Sequence, residues 1–169
     1  MYKIIKIKYK SVIVTDGQKE SVTIQANGSM HEKGEQTFVY FENEDHIPFE
    51  IIIDQKREHL SLKQGKSVLR LKKGMRIDND YETMYGSIPL TSELLKLEKG
   101  EEILKMKYHL RQNEQIISTV YMQLQWLNLE SLKKHEIMSG KVKFSFDYPL
   151  FLFYYNLYLY AFKQEGLKK

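Results

Sequence analysis

Side chains that could ligate a metal, attack a substrate or move a proton are sparse in this chain and poorly spaced for it. There is no cysteine, which removes disulfide scaffolds, thiolate metal sites and thiol nucleophiles. The five histidines, His31, His46, His59, His109 and His135, are scattered, and no two have the short spacing with which one element grips a metal. On a strand, His109 falls with Lys105, Lys107 and Arg111, a face expected in solvent. Asp78, Asp80 and Glu82 alternate within IDNDYE, residues 77–82, and hard cations take such oxygens. The glycine turn and twelfth-position glutamate of a calcium loop are missing, so this stretch reads as a solvated loop. ENED, residues 42–45, likewise reads as a charged turn. Neither a G-x-S-x-G elbow nor a glycine-rich phosphate loop is present. The expectation is a non-enzyme, with no catalytic residue, metal or cofactor nominated, although a site assembled across several strands leaves no trace in spacing. What remains is tyrosine, an apolar ring with a polar tip suited to lining a cavity. YETMYGSIPL, residues 81–90, is the richest such stretch.

The elements that would position these tyrosines speak in period two. Leu104, Met106, Tyr108 and Leu110 oppose Lys105, Lys107, His109 and Arg111, the pattern of a strand with one buried and one solvated face. Ile116, Ser118, Val120, Met122, Leu124 and Trp126 repeat it less cleanly, because Ile117 and Tyr121 break the polar parity. In the first strand Ile5, Ile7 and Tyr9 oppose Lys6, Lys8 and Lys10. Val12 and Val14 then fall on the other register, and a bulge near Lys10 and Ser11 would explain the slip. TDGQ at 15–18 and QNEQ at 112–115 are hairpin turns, and EKGE turns the chain at 32–35 and again at 98–101. Strands are expected over Glu20–Met30, Thr37–Glu42, Pro48–Asp54, His59–Gln64 and Ser67–Lys72, with one long or two short strands over Tyr81–Leu97.

About nine or ten strands joined by hairpin-length loops indicate a meandering antiparallel sheet. Such a sheet curls closed or splits in two. The fold class is therefore all-β, an up-and-down antiparallel β-barrel of about eight to ten strands, with a two-sheet sandwich as the competitor. Gly28, Gly65 and Gly86 are structural candidates; Gly28 and Gly86 would sit at sharp bends or close backbone approaches. Pro89 marks an edge position, a bulge or a break. The barrel domain spans residues 1–130, and residues 131–169 form a C-terminal extension. In that extension SLKKHEIM, residues 131–138, fits a short helix capped by Ser131. YPLFLFYYNLYLYAF, residues 148–162, is uncharged and too short for a membrane-spanning helix. Three readings of it stay open: a segment docked on the barrel as core or lid, a sticky surface for a protein partner, a membrane or a second copy, and an end without selected structure.

The net charge of +4 belongs to the extension, because the acidic and basic residues of 1–130 cancel. A binder of phosphate backbones concentrates its cations on one face, so the expectation is no nucleic-acid partner. Lysines interrupt the apolar residues of MYKIIKIKYK, unlike a signal peptide. With the absence of cysteine, the expected location is cytoplasmic.

Gly28 followed by Tyr40-Phe41-Glu42, then Lys63-Gln64-Gly65, then Tyr81-Glu82-Thr83-Met84-Tyr85-Gly86, and the paired strands ILKMKYHL and ISTVYMQLQW resemble the YwiB-like family of uncharacterised bacterial proteins, a domain of unknown function with a calycin (lipocalin-type) barrel. The resemblance covers about residues 3–129 and implies a closed barrel, but no activity. Family members tend to carry Arg where Lys63 stands, and Lys offers a point charge where Arg would fork an anion. A barrel of this size is filled by side chains or holds one small ligand. The expected function is non-catalytic binding of a small apolar or aromatic molecule inside, with Tyr40, Lys63, Tyr81, Thr83, Tyr85 and Tyr108 as candidate ligand-binding residues. The alternative is a protein-interaction module acting through the barrel exterior or the aromatic tail.

Overall fold

Strict alternation builds the first strand: Ile5, Ile7, Ser11 and Ile13 are buried, while Lys6, Lys8 and Lys10 are exposed. The computed structural model describes residues 2–129, and these form ten antiparallel strands. They are β1 (Tyr2–Thr15), β2 (Gln18–Lys33), β3 (Gln36–Glu42), β4 (Pro48–Asp54), β5 (His59–Gln64), β6 (Ser67–Lys72), β7 (Arg76–Thr83), β8 (Gly86–Lys99), β9 (Ile103–Gln112) and β10 (Gln115–Asn128). Their order in one sheet is β6-β5-β4-β3-β2-β1-β10-β9-β8-β7. The sheet curls until its two edge strands lie side by side, which makes a nearly closed barrel. The readings of residues 131–169, helix and tail alike, lie outside the described residues.

The interior is a continuous apolar core from every strand, including Ile51, Ile53, Leu60, Leu71, Leu94, Leu104, Leu124 and Val120. Burying each such leucine or isoleucine contributes about 1.5–3 kcal/mol. The turns follow their chemistry. Asp16 and Gly17 both have positive φ, as do Asn113 and Glu114, the geometry of tight two-residue hairpins. Asn43 accepts a hydrogen bond from the Ile47 amide at 2.7 Å and so closes the charged turn after β3. At Gly28, in the interior of β2, an added Cβ would lie 2.2 Å from the Tyr40 carbonyl oxygen and 2.6 Å from Ile7 Cδ1. No side chain fits there.

Several sequence expectations change. No bulge interrupts β1 at Lys10 and Ser11: its ladders to β2 and β10 run through both residues without a shift. The apparent slip arises because Ser11, a polar residue, occupies an inward position. The bulges lie instead between Leu94 and Lys96 in β8 and between Ile116 and Ser118 in β10. Each coincides with an apolar doublet, Leu94-Leu95 and Ile116-Ile117, where one residue is inserted and the inward parity flips. IDNDYE is no loop but most of β7, with Asp78, Asp80 and Glu82 outward and Asn79 and Tyr81 buried. Gly86 is not within a strand bend. It closes the β7–β8 turn at φ +119°, and Gly65 serves the β5–β6 turn at φ +56° while donating to the Pro48 carbonyl at 2.9 Å. Pro89 pairs only toward β7, since the β8–β9 ladder begins at Thr91.

The closure between β6 and β7 is made by side chains. Asn79 accepts from the Arg70 amide at 2.7 Å and donates to the Arg70 carbonyl at 3.3 Å, the Ile77 carbonyl at 3.0 Å and Ser92 Oγ at 3.1 Å. Ser92 Oγ donates in turn to the Arg70 carbonyl at 2.5 Å. Ser67 Oγ donates to the Glu82 carbonyl. Buried amide and hydroxyl groups thus satisfy backbone that a ladder would otherwise pair.

Candidate functional site

The strand parity separates the candidate residues. Tyr81 and Tyr108 point into the barrel and are buried. Tyr9, absent from the sequence candidates, joins them: its ring packs 6.1 Å from those of both Phe41 and Phe49, which stack on each other at 4.8 Å. Burial pushes the Tyr9 phenol up to about 12, against a smaller opposing effect of the neighbouring Ser11 hydroxyl. Burial also raises Tyr108 well above the ordinary range, with Tyr9 and Tyr81 adding to it. Three phenols therefore share an interior that is otherwise aliphatic and phenylalanine-rich, and burial holds those of Tyr9 and Tyr108 neutral. Gln64 Nε2 is buried on the same inner face, with no hydrogen-bond partner among the described residues. A polar atom in that position is under-satisfied and favours any group that can reach it.

Tyr40 and Lys63 are elsewhere. They sit on the outer wall in a transverse row with Glu50, set by the register Tyr40–Glu50–Lys63 across β3, β4 and β5. Tyr40 donates to Glu50 at 2.7 Å, and Lys63 lies 3.7 Å from the same carboxylate. That hydrogen bond, more than burial, lifts the Tyr40 phenol to about 12. Thr83 and Tyr85 form the β7–β8 turn: Thr83 Oγ1 donates to the Gly86 carbonyl at 2.7 Å and accepts from the Tyr85 amide at 3.2 Å. Tyr85 is 67% exposed. The YETMYGSIPL stretch turns a corner and contributes one residue, Tyr81, to the interior. His109 is not on a simple solvent face, because it is half-buried beside Glu93, which also binds Arg111 at 2.9 Å. Burial first, then the Arg111 charge, lowers its pKa, with Glu93 opposing. No cluster of metal-ligating side chains exists among the described residues.

One end of the barrel opens into a cleft of about 670 Å³, bounded by Ile5, Met30 and Trp126 with Lys3, Glu32, Lys99 and Glu102 at its edge. The volume falls within the range of small-molecule sites. Lys99 is the notable group. The inserted residue Leu95 flips the parity of β8, so Leu97 and Lys99 face inward opposite Met106 and Leu104. Lys99 Nζ donates to Thr37 Oγ1 at 3.2 Å. Burial lowers its pKa, while Glu32 opposes. Sequence reasoning missed Lys99 and Trp126; the Leu94-Leu95 doublet is the signal that would have found the first.

A family described as a domain of unknown function, DUF1934, matches residues 7–124. The chain belongs to this family. Its fold is similar to that in a crystal structure of the ywiB protein from Bacillus subtilis, with a TM-score of 0.62 at 15% identity over 75% of this chain and 92% of that one. No curated protein matches the chain. Membership in DUF1934 carries the barrel but no activity, so the site must speak through its own chemistry. Among the described residues no helix is long and apolar enough to cross a membrane.

Proposed function

We propose that this DUF1934 protein is a non-catalytic binding barrel that takes a small apolar or aromatic molecule through its open end. The observation that carries the reading is the 670 Å³ cleft, whose inward-facing boundary is Ile5, Met30 and Trp126. The cleft sets these three apolar side chains beside lysines, glutamates and amides, so it offers an apolar contact together with polar groups that can fix a ligand's orientation. Lys99, partly desolvated at the edge, is the group that would meet an acidic substituent on the ligand. Tyr9, Tyr81 and Tyr108 belong to the packed interior and do not line this cleft. The absence of cysteine supports a reducing, cytoplasmic setting for this role.

Native mass spectrometry of the freshly purified full chain tests the reading, followed by Trp126 emission during titration with aromatic carboxylates. A retained small mass, or a saturable emission change that Lys99→Met weakens, is expected. No retained mass, together with unchanged emission up to millimolar ligand, would sink it.

A second reading has its own observation. Tyr2, His31, Phe38 and Tyr40 form a stack on the outside of β1, β2 and β3, with His31 centroids 4.7 Å from Tyr2 and 4.5 Å from Phe38. Tyr2 and Ile4 are 75% and 66% exposed. An outer aromatic patch of this kind suits a protein partner or a second copy. A dimer or a retained polypeptide in the same spectra would favour it over the small-molecule reading.

A further inference from the structure

The cancelling charge of residues 1–130 conceals a spatial division. On the outer wall, Lys6, Lys8 and Lys10 of β1 and Lys105 and Lys107 of β9 flank β10 on both sides. The register fixes transverse rows: Lys107–Tyr121–Val12, Lys105–Gln123–Lys10 and Ile103–Gln125–Lys8. None of these five lysines has an ion-pair partner among the described residues. Lys96, beside them on β8, is paired with Glu98 at 2.6 Å. Two carboxylates border the wall: Glu98, which stands across from Lys105 in the β8–β9 register, and Glu102 at the end of the larger cleft. Tyr121 is 45% exposed, and Lys107 Nζ lies 5.1 Å from its ring centroid. Two clefts run along β10, one of about 690 Å³ that includes Lys6, Lys8, Gln25 and Gln125, the other of about 420 Å³ that includes Lys10, Lys105, Lys107 and Tyr121.

We propose that this wall binds single-stranded nucleic acid along β10. Alternate residues on a strand stand about 7 Å apart, and the lysine rows on β1 and β9 are separated by two interstrand spacings, roughly 10 Å. They form two rails of positive charge with a neutral floor between them. Phosphates would follow the rails, and the unpaired bases would meet the floor. Tyr121 offers a stacking face, with a cation already over its ring. Gln123 and Gln125 offer donor and acceptor pairs to base edges. An acidic polypeptide would satisfy the lysines but would leave the aromatic face and the amide row unused. The site is separate from the mouth cleft and does not depend on the small-molecule reading.

Fluorescence anisotropy of a labelled oligothymidylate with the full chain tests it. Five phosphate contacts give a slope of log K against log salt of about −3.5, a loss of about a hundredfold between 50 and 200 mM salt. Each of Lys8→Gln, Lys10→Gln and Lys105→Gln reduces that slope by about 0.7. These are exposed positions, and circular dichroism would verify that the variants remain folded. Tyr121→Ala weakens oligothymidylate by about tenfold while leaving inorganic polyphosphate unchanged. Absence of binding at 50 mM salt overturns the proposal. So does a slope that the lysine substitutions leave unchanged, which would place the contacts on the lysines of residues 131–169. Equal affinity for polyglutamate of matching charge, or an oligothymidylate affinity indifferent to Tyr121→Ala, overturns it as well.

Discussion

The wall formed by β1, β10 and β9 and the seam between β6 and β7 solve the same problem in opposite ways. Along the wall the backbone does the holding: β1 pairs with β10 from Ile5 to Val14 and with β2 from Tyr2 to Thr15. Side chains outside that ladder are free of structural duty, and unpaired lysines can stand there in rows. At the seam no regular ladder forms, and polar side chains are drawn into structural service. Asn79, Ser92 and Ser67 reach across to backbone groups of β6, β7 or both. β7 also differs in outward charge, with Asp78, Asp80 and Glu82 in a line. A hydrogen-bonded ladder is independent of sequence and tolerates outward change, whereas a side-chain latch is particular to its residues.

The hardest test of the laddered side of the barrel is Gly28→Ala in β2, the neighbour of β1. The added Cβ would fall on the Tyr40 carbonyl oxygen and Ile7 Cδ1, and backbone cannot give way as a flexible side chain would. A loss of about 3 kcal/mol or more is expected in urea unfolding; a loss under about 1 kcal/mol would show that β2 shifts freely against β1 and β3. The seam is tested by Asn79→Ala, which removes the acceptor of the Arg70 amide and a partner of the fully buried Ser92 hydroxyl. About 2–3 kcal/mol is expected, against less than about 0.5 kcal/mol for Gln123→Ala on the wall. Equal losses for these two variants would erase the distinction between latch and ladder.

A smaller effect sharpens the contrast between the two faces of β1. Outside, its lysines are charged and solvated; inside, Tyr9 is held neutral, with its pKa raised from 10.0 to about 12. Above pH 10 the unfolded chain releases this proton and the folded chain retains it, so stability that is complete below pH 10 falls as the pH rises toward 12. At pH 11 the Tyr9 contribution to that fall is about 1.4 kcal/mol. Unfolding curves at pH 8 and pH 11 should show a drop in the parent that is smaller in Tyr9→Phe by about that amount. An identical drop in both would place the titration elsewhere.

Alternation and turn chemistry made most of the barrel legible. The limits of β3, β4, β5 and β6 follow directly from apolar parity and from the Gly, Asp and Asn residues between them. Leu104, Met106, Tyr108 and Leu110 turn inward as their period requires. β7 was hidden because its outward face is acidic and its inward face carries Asn79, a polar residue whose partner lies in another strand. The candidate site was legible only in part. Tyr81 and Tyr108 were visible as inward positions, but Tyr40 lies on the outer face of its strand, and Tyr85 belongs to a turn.

The sequence by itself determined that the chain would form a cysteine-free sheet of many strands, because period two and turn residues act between neighbours a few positions apart. Only the tertiary structure decided which polar groups meet. Lys99 enters the mouth because one inserted residue flips its strand. Tyr9, Tyr81 and Tyr108 converge from three strands, and lysines far apart in the chain line up beside β10. Each of these depends on register between distant segments, and net charge and local spacing carry no record of register.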